Sequence, residues 1–364
     1  MRILLVRPTA SGGLAAHVDQ ELALLKAAGH EVREAPVRIR ERPDLIEDLR
    51  TVRTLRRLLA SSEATATLHA HGLRAGALAA VAMWGLRRHR LVVTLHNRTV
   101  GSRPTRAVGA LLLRLLVRRA NAVLAVSPDL IETARKAGAG DVRHAIIPAP
   151  VPDPVEPAEA DRAADPAHSA DGTTAAAPAV PGASDGERRR RLEVLVIARL
   201  APQKGLHDLL DAAALLRDGA PVLIRVAGDG PLATELSARI DAEQLPVELL
   251  GRRDDVPALL SACDLLVSAA HWEGQPVSLQ EALRAGRAIV ATDAGGTRWV
   301  TADAAHLVPV SDPAALAAAI TRMQDPALRS AAEQSAHRRA LELPTAEDLL
   351  AQLDEVLAPG PHHW

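Results

Sequence analysis

Along most of this chain short apolar runs alternate with longer stretches whose apolar residues return every three to four positions, the pattern of parallel strands joined by amphipathic helices. In the first half, residues 3–6, 66–68, 91–95, 122–126 and 144–147 read as strands. Helices are expected at about 14–28, stopped by Gly29, and near 44–60, 73–84, 104–120 and 128–137. Residues 151–190 lose the period and are rich in Pro, Ala, Asp, Gly, Ser and Thr, a composition that cannot offset the entropy of folding. They read as a flexible linker ending in the charged run at 187–191, a solvated edge. The strand and helix alternation then restarts, with strands at 193–197, 222–226, 247–250, 265–267, 288–290 and 306–308 and a helix at 206–216. A last helix, at 345–357, follows both halves and is placed to pack back over the first.

A length of 364 residues suits two domains better than one. The expected architecture is α/β, with two Rossmann-like doubly wound domains at 1–150 and 191–340, the linker at 151–190, and a crossover helix and tail at 341–364. Phe and Tyr are both absent, so the cores must be filled by Leu, Val and Ala. The single cysteine, Cys263, excludes an internal disulfide and reads as a small core residue in a reducing compartment. No apolar run reaches the ~18 residues of a membrane span, and Met1 leads straight into a strand, so a cytoplasmic location is expected.

Charge is uneven. Residues 1–150 carry 24 Lys and Arg against 12 Asp and Glu, a formal +12 in a chain whose total is -1. A basic first half by charge alone suits an anionic partner such as a membrane surface, a lipid phosphate or nucleic acid, and a solvated Arg-rich surface would give the same count. No nucleic-acid partner is expected.

Candidate chemistry centres on residues 271–283, His-Trp-Glu-Gly-Gln-Pro-Val-Ser-Leu-Gln-Glu-Ala-Leu. Glu273 and Glu281 lie eight positions apart, one in a Gly/Pro loop and one in the next helix, a pairing suited to gripping hydroxyl groups. A second reading makes Ser278 and Glu281 a capping box. Arg199 and Lys204 fall between a strand and a helix, where a forked donor, a point charge and a helix N-terminus favour a diphosphate. Gly12 and Gly13 follow the first strand and would admit a phosphate close to backbone, or make an ordinary tight turn. His96 ends a strand, either facing the crevice or as a satisfied loop histidine. His69 and His71 share a strand end without a third clustered ligand, so no metal site is expected. Asp254 and Asp255 read as a polar turn before a helix.

In this order these motifs resemble the GT-B glycosyltransferases, specifically the large retaining family 4 type, which takes sugar from a nucleotide diphosphate sugar. Ser11-Gly12-Gly13 with His17-Val18 resembles the family's first loop, His69-Ala70-His71-Gly72 its His-x-His strand end, and Thr94-Leu95-His96 the stretch with the active-site histidine. Arg199 with Lys204 is similar to the diphosphate-binding pair, Gly228-Asp229-Gly230-Pro231 to the Gly-x-Gly-Pro loop, and the stretch from Glu273 through Gly274, Gln275, Pro276 and Val277 to Glu281 to the Glu-x7-Glu element. The resemblance implies a central cleft with a UDP- or GDP-sugar as donor, bound near Gly12, Gly13, Gly228 and residues 273–277. It implies that Glu273 contacts the sugar hydroxyls, Glu281 the ribose and His96 the sugar near its reacting carbon, with no cofactor or metal and with retention of configuration.

The family often has Phe where Gln275 stands, and Trp299 occupies the place of a glutamate. The acceptor is expected to be a hydroxyl on a lipid-linked or cell-envelope glycan precursor. The Arg-rich apolar helix at 106–119 suggests peripheral contact with an anionic membrane, its alternative being an ordinary packed helix. Rival readings are a nucleotide-sugar epimerase and a silent nucleotide-sugar-binding protein.

Overall fold

The computed structural model describes residues 1–358 except 10–12, 41–43, 62–63, 100, 150–190, 218 and 220. Ser11, Gly12 and the expected linker lie outside the described residues. The first half forms a six-stranded sheet from β1 (Arg2–Val6), β2 (Glu31–Glu34), β3 (Thr67–His71), β4 (Arg90–Leu95), β5 (Ala122–Ala125) and β6 (Val142–His144), in the order β2-β1-β3-β4-β5-β6. Every pairing is parallel. Its helices are α1 (Gly13–Ala27), α2 (Leu45–Ala60), α3 (Leu73–Ala82), α4 (Arg103–Val117) and α5 (Pro128–Lys136). All five residues of β3 are buried, as expected of a strand covered by helices on both faces.

The second half repeats the plan with β7 (Leu192–Ile197), β8 (Val222–Ala227), β9 (Val247–Gly251), β10 (Leu265–Ser268), β11 (Ala288–Thr292) and β12 (His306–Val308), ordered β12-β11-β10-β7-β8-β9 and again parallel. The helices are α6 (Leu206–Leu216), α7 (Ala233–Glu243), α8 (Val256–Ala262), α9 (Val277–Arg284), α10 (Thr297–Thr301), α11 (Pro313–Arg322), α12 (Pro326–Ala340) and α13 (Ala346–Leu357). Both cores are built from Leu, Val, Ile and Ala, and Cys263 is buried among them. The turn at Asp254 and Asp255 does precede a helix, α8.

One strand was not expected and one is shifted. β2 has only four residues, one of them buried, so this edge strand shows no alternation long enough to read. The strand expected at 144–147 lies instead at 142–144, because backbone beyond it turns from the ladder to side chains. Gln352 on α13 accepts from the Ile146 amide at 2.9 Å and donates to the His144 carbonyl at 2.7 Å. Gln275 accepts from the Ile147 amide at 3.2 Å, and buried Gln280 donates to the Ile147 carbonyl and accepts from the Ala149 amide, both at 2.9 Å. Arg284 donates to the Ala149 carbonyl at 2.6 Å.

The last helix crosses back as expected. Thr345 and Asp348 cap it reciprocally, and Leu349, Leu353, Val356 and Leu357 enter the core of the first half. Replacing Leu353, which is 1% exposed, with Ala is expected to destabilise the protein by about 2–5 kcal/mol through the cavity it leaves, measured by denaturant unfolding.

Candidate functional site

In an open parallel sheet, ligands collect at the carboxyl ends of strands where the strand order reverses. In the second sheet that point lies between β7 and β10, and in the first between β1 and β3. The loops after these strands meet across a cleft of about 1190 Å³. Gly13 and His96 line it from the first half, and Arg199, Lys204, Gly228, Glu273, Gln275, Pro276, Val277 and Glu281 from the second. Ten of the expected site residues are thus brought to one cavity.

Lys204 ends a one-turn 3-10 helix at Pro202–Lys204, and its ammonium lies 2.5 Å from Glu273 Oε1, with both side chains mostly buried. Arg199, just past β7, is exposed in the cleft and has no acidic partner among the described residues. A free guanidinium beside a paired ammonium leaves positive charge available to an anion.

Backbone around these groups is closely packed. Gly228 has φ +147°, and a Cβ there would lie 1.9 Å from the Ala198 carbonyl oxygen. Gly296 carries its backbone against the Gly274 carbonyl, where a Cβ would lie 1.8 Å away. Any larger residue at either position must displace backbone beside Arg199 or Glu273. At Gly13 a Cβ would meet nothing within 4 Å, so the first turn of α1 is open to the cleft.

Glu281 is not part of a capping box. α9 begins at Val277 after Pro276, with no side-chain cap, so Ser278 already lies within the helix. The Glu281 carboxyl faces the cleft, and burial pushes it above its usual range, partly opposed by Arg284. Gly274 is absent from the cleft wall; it packs on Val126 of the first half, and a Cβ would lie 2.6 Å from that side chain. Gln275 reaches the cleft, but its amide is taken up by the Ala145 carbonyl, the Ile147 amide and His144. Trp299 packs against His144 with ring centroids 3.9 Å apart and the rings tilted by 58°.

Sequence reasoning missed the partners of the strand-end histidines. His17 and Glu21, one turn apart on α1, face His71, and the three offer ligand atoms within 4.8 Å of one another. The expectation that His69 and His71 lack a third neighbour of this kind is therefore corrected. A polar pair four apart on the inner face of an amphipathic helix was the available signal. Burial holds His17 down to about 4, and holds His71 and, more strongly, His96 below the usual histidine range. Burial opposes ionisation of Glu21, but His69 and His71 outweigh it and keep the carboxyl well below its ordinary value.

Three comparisons bear on this site. Residues 191–325 match the model of the family Glycosyl transferases group 1, and residues 19–150 that of the Glycosyl transferase 4-like domain. The chain is 36% identical over 104 residues to the N,N'-diacetylbacillosaminyl-diphospho-undecaprenol alpha-1,3-N-acetylgalactosaminyltransferase of Campylobacter jejuni, covering 28% of this chain and 27% of that one. It is 30% identical over 173 residues to the alpha-D-kanosaminyltransferase of Streptomyces kanamyceticus, covering 45% and 44%. The chain thus spans less than half the length of the curated relatives it matches. Among solved structures, HepE of Anabaena in complex with UDP-glucose superposes with a TM-score of 0.72 at 20% identity, covering 98% of this chain and 99% of that one. At that identity the likeness speaks to the fold, and it bears out the GT-B architecture.

The histidine shifts set a pH dependence. A histidine whose folded value is depressed takes up a proton more readily when unfolded, so stability is full above the unfolded value near 6.5 and falls as pH drops toward 4. Glu21, also depressed, adds loss in the same direction at lower pH. The melting temperature is expected to be flat from pH 7 to 8 and to fall between pH 6.5 and 4. Replacing His144 with Gln, which removes one depressed histidine, should shallow that slope in a pH series of thermal melts.

Proposed function

Because the chain belongs to the glycosyl transferases group 1, of the GT-B family 4 type, we propose that it moves a sugar from a nucleotide diphosphate sugar to an acceptor hydroxyl with retention of anomeric configuration. The observation that carries this reading is the meeting of Arg199, Lys204, Glu273 and Glu281 in one cleft at a topological switch point. Two cations face the place for a diphosphate, and two carboxylates face the places for hydroxyls.

As the bond from the anomeric carbon to the diphosphate breaks, negative charge grows on the leaving oxygen. Arg199 and Lys204 stabilise that charge more than they stabilise the bound donor, which lowers the barrier. The Lys204–Glu273 pair prepares this step: a diphosphate drawn to Lys204 releases Glu273 Oε1 to accept from sugar hydroxyls. Glu281 accepts from the ribose, and its burial strengthens that contact. The anomeric carbon becomes oxocarbenium-like, the acceptor oxygen attacks on the departing face, and the leaving phosphate takes the acceptor's proton. With two side-chain cations at the diphosphate, leaving-group stabilisation requires no metal ion. The donor nucleotide is proposed to be UDP or GDP, with no other cofactor.

Surface chemistry supports a lipid-linked acceptor. α4 buries Leu113, Leu116 and Val117, so it is a packed helix, but its outer face exposes Val108 and Leu111 beside Arg106, Arg114 and Arg118. On α2, which packs beside α3 next to α4, Leu45, Ile46 and Leu49 are exposed with Arg50, Arg53 and Arg57. Trp84, after α3, is 71% exposed. Apolar side chains interleaved with arginine suit the boundary of an anionic bilayer. A cytoplasmic enzyme seated there would reach a lipid-linked acceptor, the class for which the Campylobacter relative is named. No helix among the described residues is long and apolar enough to cross a membrane.

A thermal-shift panel of nucleoside diphosphates and their sugars tests the donor site. One nucleotide should raise the melting temperature of the wild type, and Lys204→Ala and Glu281→Ala should each lose most of that shift; no shift with any nucleotide would overturn the reading. For the membrane, co-sedimentation with phosphatidylglycerol vesicles should exceed that with phosphatidylcholine vesicles and weaken in Leu111→Glu. Equal sedimentation with both sinks the membrane seat and leaves the donor site standing.

A further inference from the structure

Behind the cleft wall lies a polar chain inside an otherwise apolar core. Glu21 is completely buried and has no Lys or Arg partner among the described residues. Its Oε1 lies 2.5 Å from His69 Nδ1, and His69 Nε2 lies 2.8 Å from the Thr94 hydroxyl. Its Oε2 faces His71 Nε2 at 3.5 Å, too far for a well-formed hydrogen bond, and neither of these two buried atoms has a hydrogen-bond partner among the described residues, so each is the other's nearest available one. His71 Nδ1 in turn lies 3.1 Å from His96 Nε2. Two further charged or titratable groups act on the cluster: His17, its Nε2 3.8 Å from Glu21 Oε2, and Arg7, whose charge opposes protonation of His71.

Proton placement follows from what each atom is able to do. An ionised carboxylate only accepts, and a neutral imidazole has one donor and one acceptor nitrogen. Facing Glu21 Oε1, His69 Nδ1 must carry the proton, which leaves Nε2 to accept from Thr94. Facing Glu21 Oε2, His71 Nε2 must carry the proton, since a lone pair there would oppose a carboxylate lone pair in a dry site. His71 Nδ1 is then an acceptor, so His96 Nε2 must donate to it. One nitrogen remains, His96 Nδ1, without its proton.

We propose that Glu21, acting through His71, fixes the tautomer of His96 so that Nδ1 is offered to the cleft as a hydrogen-bond acceptor for a hydroxyl of the donor sugar. The identity of that hydroxyl's owner rests on the donor reading given above; the tautomer does not. Glu21 and His71 are positioning residues, and His96 is the group that touches substrate. Burial holds His71 and His96 below the usual histidine range, and although burial opposes ionisation of Glu21, the hydrogen bond from His69 favours its charged form; neutral imidazoles beside an ionised carboxylate are the charge state the chain of contacts needs. Without the carboxylate, either nitrogen of His96 could hold the proton, and a protonated Nδ1 would require the hydroxyl to accept rather than donate, turning it to a different orientation.

The test is the 15N–1H correlation spectrum of the histidine rings in the full-length 15N-labelled protein, with His96 assigned from the spectrum of His96→Gln. In the wild type His96 should carry its proton on Nε2, with Nδ1 bare. Glu21→Gln keeps the shape but places an amide donor against His71 Nε2, so the relay reverses and the His96 proton moves to Nδ1. A wild-type proton on Nδ1, or the same tautomer in both proteins, overturns the proposal. So does a stoichiometric metal ion in the purified wild type, because a cation would take the lone pairs of Glu21 Oε2 and His71 Nε2 and force the opposite tautomer.

A second readout uses whichever nucleotide binds in the thermal panel. In Glu21→Gln the affinity gained from the donor's sugar over the bare nucleoside diphosphate should fall about tenfold, with diphosphate affinity unchanged. An unchanged sugar increment removes the contact with the sugar. Failure of every nucleotide to bind would strike the donor reading alone, since the ring spectra need no ligand.

Discussion

The site depends on how five residues of backbone, 145–149, are held. This segment leaves the first sheet and runs along the second domain, and its amides and carbonyls are bonded to Gln275, Gln280 and Arg284 on one side and to Gln352 on the other. Such groups would otherwise be costly to bury unpaired. Because Gln275, Gln280 and Arg284 belong to the same loop and helix as Glu273 and Glu281, the grip on 145–149 also sets where those carboxylates stand relative to His96 and Gly13. Trp272 adds a contact of the same kind, donating to Asp129 of the first half at 3.0 Å. One element therefore joins the domains and carries Glu273 and Glu281, so any rotation of one domain against the other is felt at the cleft.

Electrostatics on the two sides of the cleft differ in kind. The second half offers charge that is partly balanced, with Lys204 held by Glu273 and Arg199 free, an arrangement suited to an anion that arrives and leaves. The first half offers neutral imidazoles in front of a buried carboxylate. On the proposed reading, donor diphosphate and donor sugar would meet two environments: a cationic one where charge develops, and a hydrogen-bonding one where orientation matters.

Much of this was legible in the sequence, for physical reasons. Strands buried on both faces are short uninterrupted apolar runs, so β4, β7 and β10 stand out, and the loops after them hold His96, Arg199 and Glu273 where a parallel sheet collects its ligand groups. The crossing helix was visible because its amphipathic stripe follows a complete second domain. What escaped were features set by tertiary partners. β2 is an edge strand of four residues, and β6 ends early because glutamines from two helices compete for its backbone. The reading of Ser278 and Glu281 as a cap failed because Pro276, with its fixed φ, starts the helix one residue before Ser278. His17 and Glu21 showed themselves only as a polar pair on the inner face of a helix, and not whom they meet, since His71 lies fifty residues beyond Glu21 and reaches them only after α1 packs on the sheet. Gln275 reaches the cleft as expected, but nothing in the sequence showed that its amide, like that of Gln280, also binds backbone of the first half.

The central claim is that Arg199 and Lys204 recognise a diphosphate. Calorimetric titration of a nucleoside diphosphate and the monophosphate of the same base, against wild type and Arg199→Ala, measures this without any acceptor. The account predicts that the diphosphate binds the wild type at least tenfold more tightly than the monophosphate and that Arg199→Ala largely erases the difference while monophosphate affinity changes little. An equal preference for the second phosphate in both proteins would contradict it.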